Sequence, residues 1–187
     1  MFRGHPKPTV GSLRMRFSQL DRILVLEKGS SISAVKCLTL SEDYLQDHFP
    51  RFPVMPGVMM LESMFQTSMW LIRSSHDFQY SSVVLRETKS LKFQGFVQPG
   101  DALRVDAEIK KVEGSLTSLK VVGTVNGTPA TSGRLVLDTF NLADRDDVDP
   151  AIDDYMKYKF RMNFKWLFNQ LGNESPNSGL GATLATS

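Results

Sequence analysis

Cysteine is almost absent. Cys37 stands alone among 187 residues, so no internal disulfide framework exists and a reducing compartment is the natural setting. It lies in an apolar-rich run with no histidine near it in sequence, and is expected to be a buried structural thiol rather than a nucleophile. An excess of one charge is missing too. Lys and Arg number 22 against 20 Asp and Glu, and no basic cluster marks a nucleic-acid footprint, so nucleic acid is not an expected partner. Long apolar runs are also lacking. Residues 58–72 form the most apolar stretch, yet they include Glu62, Ser63, Gln66, Thr67 and Ser68 and fall short of the ~20 residues that cross a bilayer. The first eight residues hold no signal-peptide apolar core. A soluble cytoplasmic protein is expected, without stable membrane insertion, whose partners have to be argued from a site.

The length suits one domain with additions. Residues 1–15 carry Gly4, Pro6, Pro8 and Gly11 and are expected to form an irregular arm; 172–187, small and polar, are expected to be a disordered tail. Between them, 22–27 and 32–40 read as strands joined by a Lys28-Gly29-Ser30-Ser31 turn. Ser41 is placed to cap a short helical turn over 42–46. Residues 57–73 have helical length and carry Val58, Met59, Leu61, Met64, Phe65, Trp70 and Leu71 on nearly every face, which predicts a buried helix. The period then becomes two. Val105, Ala107 and Ile109 alternate with charged residues, and Glu113-Gly114 and Asn126-Gly127 punctuate the runs 83–93, 116–125 and 130–140. The order predicts an α+β fold over 16–142, an antiparallel sheet curved around one helix. A linker from 143 leads to an amphipathic helix ending at 171. Its apolar side holds Ile152, Tyr155, Met156, Phe160, Phe164, Leu167, Phe168 and Leu171, and its polar side Lys157, Lys159, Arg161 and Lys165. Packing on its own sheet or on a partner subunit is expected; a membrane-surface or carrier-docking role is the alternative.

Chemistry concentrates in residues 47–66. His48 sits among Phe49, Pro50, Phe52 and Pro53, a stiff apolar setting. Pro56-Gly57 opens the buried helix, whose first amides, those of Gly57 and Val58, lack internal partners and sit at the positive end of the dipole. Such an amide can hold a thioester oxygen as it gains enolate charge, and glycine lets a ligand approach the backbone. Glu62 lies five residues inside an otherwise apolar helix, where burial favours the protonated form that a general acid needs. Each feature alone has an ordinary structural explanation. Together they place a base, an acid and an oxyanion donor within 15 residues.

The run His-Phe-Pro-x-x-Pro-Val-Met-Pro-Gly-Val, followed by Leu-Glu-x-x-x-Gln, resembles the 3-hydroxyacyl-[acyl carrier protein] dehydratases of the hot-dog superfamily, in their glutamate-using branch. The step from His48 to Glu62, the position of Gln66, and Asp21-Arg22-Ile23-Leu24, Ser41-Glu42-Asp43-Tyr44 and Val97-Gln98-Pro99-Gly100-Asp101 extend the likeness over residues 17–140. The resemblance implies that His48 takes a proton from C2 while Glu62 protonates the departing C3 hydroxyl, with the Gly57 amide on the thioester carbonyl and Val58 and Gln66 as further oxyanion or substrate contacts. It also implies a homodimer, often a trimer of dimers, with His and Glu of each site from opposite subunits. No metal or organic cofactor is implied; the phosphopantetheine arm of an acyl carrier protein delivers the chain into an apolar tunnel. Met55, Met59, Phe65 and Met69 are tunnel candidates by character, though core packing explains them equally well.

This chain departs from the family at Asp47 and Arg51, where glycine is usual, and at Gln94-Gly95-Phe96, where a basic residue and proline are usual. Glycine at 47 or 51 would matter if the backbone there needed positive φ. Arg51, Arg86, Lys89 and Lys92 are candidate carrier contacts, with solvated surface as the plain alternative. Two other functions stay open on the sequence: a hot-dog thioesterase, and a catalytically silent acyl-binding partner.

Overall fold

The computed structural model describes residues 18–49, 51–145 and 149–168. The arm at 1–15, the tail at 172–187 and the last three residues of the helix expected to reach 171 lie outside them. The strands are β1 (Arg22–Glu27), β2 (Ser31–Cys37), β3 (Ser82–Phe93), β4 (Ala102–Glu113), β5 (Leu116–Val125) and β6 (Thr128–Phe140), with burial alternating most clearly along β4 and β5. They form one antiparallel sheet in the order β1-β2-β4-β5-β6-β3. Glycine-containing turns at Gly29, Gly114 and Asn126-Gly127 close the three hairpins, each with positive φ. The chain leaves the sheet after β2, makes the single turn α1 (Tyr44–Asp47), and enters the 19-residue helix α2 (Gly57–Ser75) before returning as edge strand β3.

One face of the sheet wraps α2, giving the α+β architecture expected from the order of elements. Met64, Trp70, Leu71 and Ile72 of α2 pack with Ala34, Leu103, Val105, Leu119, Val121, Leu135 and Leu137 in one core. These side chains are at most 1% exposed. Burying each such large apolar side chain stabilises by about 1.5–3 kcal/mol, which makes α2 the centre of the domain.

Several expectations are corrected. Cys37 is exposed, because it is the last residue of β2 and falls beyond the cover that buries the five residues before it. Strand β2 ends there rather than at Leu40, although Leu38 still pairs with Asp101 and Gly100 through two backbone bonds of 2.9 Å. Ser41 caps nothing: its hydroxyl lies 2.8 Å from that of Thr39, and α1 begins behind Asp43 with no side-chain cap. Asp47 and Arg51 keep negative φ; the left-handed residue of this loop is Phe49, at φ 49°. Nor is α2 covered all round. Val58, Leu61, Glu62 and Phe65 form an i, i+3, i+4, i+7 stripe left exposed or half-buried.

A 3-10 turn at Leu142–Asp144 precedes helix α3 (Pro150–Phe168). Buried Asp153 accepts hydrogen bonds from the Leu142 amide at 2.9 Å and the Ala143 amide at 3.1 Å, fixing the start of the helix. Phe160 and Phe164 then meet Trp70 of α2 at 5.9 and 6.0 Å between centroids, and Phe164 meets Phe78 at 5.2 Å. The Arg73 guanidinium lies 3.6 Å over the Phe160 ring and donates to the carbonyls of Tyr80 and Ser81. Burial pushes it down to about 9. α3 therefore packs on its own domain, as expected. Tyr155, Tyr158 and Met162 on its far side are exposed.

Candidate active site

The loop carrying His48 is held at both ends. Before it, Lys36 of β2 is buried and ion-paired with Glu42. Beside them Tyr44 titrates well above the usual phenol range, through burial first and the charges of Glu42 and Asp21 second. After it, the Met55 amide donates to the Val97 carbonyl at 2.9 Å. Residues 97–101 are themselves a tight turn: the Gln98 amide donates to the Asp101 carboxylate at 2.8 Å, and Gly100 sits at φ 99°, which favours glycine. The Val-Gln-Pro-Gly-Asp segment thus buttresses the loop. Between the anchors His48 is half-buried in extended backbone, its ring 4.5 Å edge-on from Phe49, and the chain turns through a 2.8 Å bond from the Phe52 amide to the Phe49 carbonyl.

Pro56 stands before the first residue of α2 with φ −57° and ψ 143° and no side-chain cap. Among the described residues no acceptor meets the Gly57 or Val58 amide, so the helix opens on unpaired donors at its positive end. One turn on, Glu62 accepts a 2.8 Å hydrogen bond from the Gln66 side-chain amide, whose oxygen accepts one of 2.9 Å from the Gln19 backbone. Gln66 is buried, so it fixes the Glu62 carboxylate from behind rather than facing an open surface. Full burial of Glu62, on which its expected neutrality rested, is not met within one chain: it is half-buried on the uncovered stripe.

The group that approaches Gly57 is a side chain. A Cβ there would come within 3.1–3.2 Å of three ring atoms of Phe93, the last residue of β3. A side chain at this position would have to push aside the aromatic ring lying against the helix start. Phe93 was not singled out from sequence; the only available signal was a large apolar residue ending a strand beside a helix that starts with glycine.

The tunnel candidates divide. Met55, Met59 and Met69 belong to the buried core, whereas Phe65 is half-buried on the stripe with Glu62. Arg51, Arg86, Lys89 and Lys92 are all exposed. No ion pair joins His48 to Glu62 among the described residues, and no group of three or more metal-ligating side chains occurs there. A cavity of about 510 Å³ opens elsewhere, between β1, β2, β4 and β5 beside Ser33 and Arg104.

The model of the FabA-like domain family matches residues 12–139, two thirds of the chain and all of this site. The chain belongs to the FabA-like family. Among its curated relatives, the 3-hydroxyacyl-[acyl-carrier-protein] dehydratase FabZ of Levilactobacillus brevis is 38% identical over 128 residues, covering 68% of this chain and 84% of the relative. The FabZ of Caldicellulosiruptor bescii is 32% identical, covering 66% and 88%. Solved structures share the fold alone. The dehydratase heterocomplex ApeI:P of Xenorhabdus doucetiae superposes with a TM-score of 0.56 at 16% identity, covering 67% of this chain and 85% of that one. A Streptococcus mutans protein bound to acetyl CoA does so at 0.53 and 14%, covering 72% and 98%. The FabA-like match ends near the last strand, so α3 stands as an addition to the hot-dog domain.

Proposed function

We propose that this chain removes water from 3-hydroxyacyl thioesters presented by an acyl carrier protein, giving trans-2-enoyl thioesters for fatty-acid or related lipid synthesis. The observation that carries the reading is the arrangement on α2: a carboxylate held by Gln66, one turn from unpaired helix-start amides, on a stripe that its own sheet leaves open. His48 takes the C2 proton and the thioester oxygen gathers enolate charge against the Gly57 amide, with that of Val58 behind it. Glu62 then protonates the C3 hydroxyl, which leaves as water while the enolate electrons form the C2–C3 double bond. The proton gained by His48 and the proton lost by Glu62 balance, so the pair resets by one proton transfer. No cofactor enters this chemistry, and the cytoplasm is the expected setting.

A second copy completes the site in this reading. The stripe Val58, Leu61, Glu62 and Phe65 stands open on α2, exposed Phe93 lies against Gly57 at the start of that helix, and β3 leaves one edge unpaired. A homodimer joined there, itself free to assemble as a trimer of dimers, would bring His48 of one copy to Glu62 of the other. It would also take that carboxyl out of water, the condition under which an acid keeps its proton. Phe65 and the neighbouring Met55, Met59 and Met69 would then border the acyl chain.

The test follows enoyl product and free thiol together from a 3-hydroxyacyl thioester. Enoyl formation that falls about 10²–10⁴-fold in both His48→Ala and Glu62→Gln supports the dehydratase. Thiol release without enoyl product, or neither signal, sinks it.

A further inference from the structure

The loop that presents His48 is tied to a second segment through phenylalanine rings. His48 rests edge-on against Phe49, with 4.5 Å between centroids. The Phe49 carbonyl accepts a hydrogen bond from the Phe52 amide at 2.8 Å, and the Phe52 ring meets that of Phe96 at 5.6 Å and 90°. An unbroken path of three contacts therefore runs from Phe96 to the imidazole. Its far end stands on firm ground. The Gln94 and Gly95 amides both donate to the Ala130 carbonyl of β6, at 2.8 and 3.1 Å. A Cβ on Gly95 would come within 3.3 Å of the Ala130 Cα, so the segment lies directly on that strand. On the other side of Phe96, Val97 is fully buried and its carbonyl holds the Met55 amide. The near end is strained: Phe49 sits at φ 49°, a region a bulky side chain occupies only where its surroundings insist on it. Phe52 and Phe96 are 48% and 67% exposed. Rings so open add little to the core, so core packing does not explain why they meet.

We propose that Phe96 is a positioning residue for His48: through Phe52 it clasps the loop, holds Phe49 in its left-handed conformation, and so fixes the direction of the imidazole. An edge-to-face pair suits this task, because it has a preferred angle as well as an attraction. Phe96 needs to touch no substrate. The catalytic consequence rests on the dehydratase reading given above; the clasp rests on geometry alone.

Enoyl formation from a 3-hydroxyacyl thioester and amide hydrogen exchange are measured on the full chain and its variants. Phe96→Ala is expected to lower kcat about tenfold, as an imidazole displaced by a fraction of an ångström would, with KM changed less than about threefold. Phe52→Ala should match it, and the double variant should lose no more than either single one, because both cut the same path. Phe96→Tyr keeps the ring and should keep the parental kcat. In Phe96→Ala the Phe52 amide, whose bond closes the turn, should exchange at least about tenfold faster while amides of β4 and β5 stay unchanged. An unchanged kcat in Phe96→Ala, a loss confined to KM, losses that multiply in the double variant, or a Phe96→Tyr protein as impaired as Phe96→Ala overturns the proposal. Exchange tells this failure from failure of the proposed function. A parent that forms no enoyl product sinks that function and the catalytic role of Phe96 with it, whereas an unaltered Phe52 amide sinks the clasp with or without activity.

Discussion

Adding one methyl group at Gly57 separates a stability effect from a positioning effect. In Gly57→Ala the new Cβ would stand 3.1 Å from Cε2 of Phe93 and 3.2 Å from Cδ2 and Cζ, whereas ordinary contact begins at 3.4 Å. The ring therefore has to retreat by about 0.3–0.5 Å to reach a comfortable distance. Phe93 is 48% exposed, so it has room to swing, and the strain belongs at the low end of the ~1–3 kcal/mol typical of overpacking. Replacing glycine by alanine at a helical position returns about 0.5–1 kcal/mol. The two nearly cancel, and thermal denaturation should shift by no more than about 4 °C. Catalysis should not be spared. A 1 Å misplacement can cost on the order of 10²-fold, so a few tenths of an ångström predicts a loss of about 5–10-fold in kcat/KM for enoyl formation. Phe93→Leu in the Gly57→Ala background removes the obstructing ring edge and should restore most of that loss. If the two substitutions instead add, with coupling within about 0.5 kcal/mol of zero, the ring does not govern Gly57 and the reasoning is wrong.

Three further outcomes follow from contacts outside the site. Glu42→Gln leaves the Lys36 ammonium, whose side chain is 8% exposed, without its countercharge; urea unfolding should show a loss toward the low end of the ~3–5 kcal/mol for a broken buried pair, while Lys36→Met should be near neutral. Asp153 titrates below the usual carboxylate range because of the Ser81 hydroxyl first, then the Ala143 and Leu142 amides and Lys157, with desolvation opposing. Its folded value lies under its unfolded one, so its contribution is complete at neutral pH and fades as pH falls below about 4; α3 should then undock before the sheet melts, with a red shift of Trp70 emission, and Asp153→Asn should remove that acid step. Phe160→Ala deletes the ring between Trp70 and Arg73, a class of change costing about 3–5 kcal/mol, and hydrogen exchange should rise throughout α3 while β4 and β5 stay protected.

What the chain discloses by itself depends on how local the cause is. Helix α2 was legible from a long run apolar on nearly every face, and the strands from short β-rich runs between turn residues, with period two clearest in β4. The turns at Gly29, Gly114 and Asn126-Gly127 were legible because positive φ selects glycine and asparagine. Positive φ at Phe49 was not, since glycine was expected to matter at 47 and 51 and the strain falls on a residue whose type does not betray it. Cys37 was misread for a related reason: its apolar neighbours are buried, but the sheet's cover stops one residue earlier, a fact fixed by tertiary packing.

The same distinction governs the active site. The family match and the spacing of His48 and Glu62 are properties of one sequence, whereas cover over Val58, Leu61, Glu62 and Phe65 is a property of an assembly. An all-round apolar helix predicts a buried helix without saying which chain buries it. One sheet covers the rest of α2 and leaves this stripe, and on the stripe sits the carboxylate whose proposed role needs a dry environment. Activity in this reading is therefore tied to protein concentration, because dilution past the dimer's dissociation returns Glu62 to water and separates it from the partner's His48. Specific activity should drop on dilution in step with the dimer fraction from sedimentation velocity; activity that stays constant through complete dissociation would show that a single chain holds both groups.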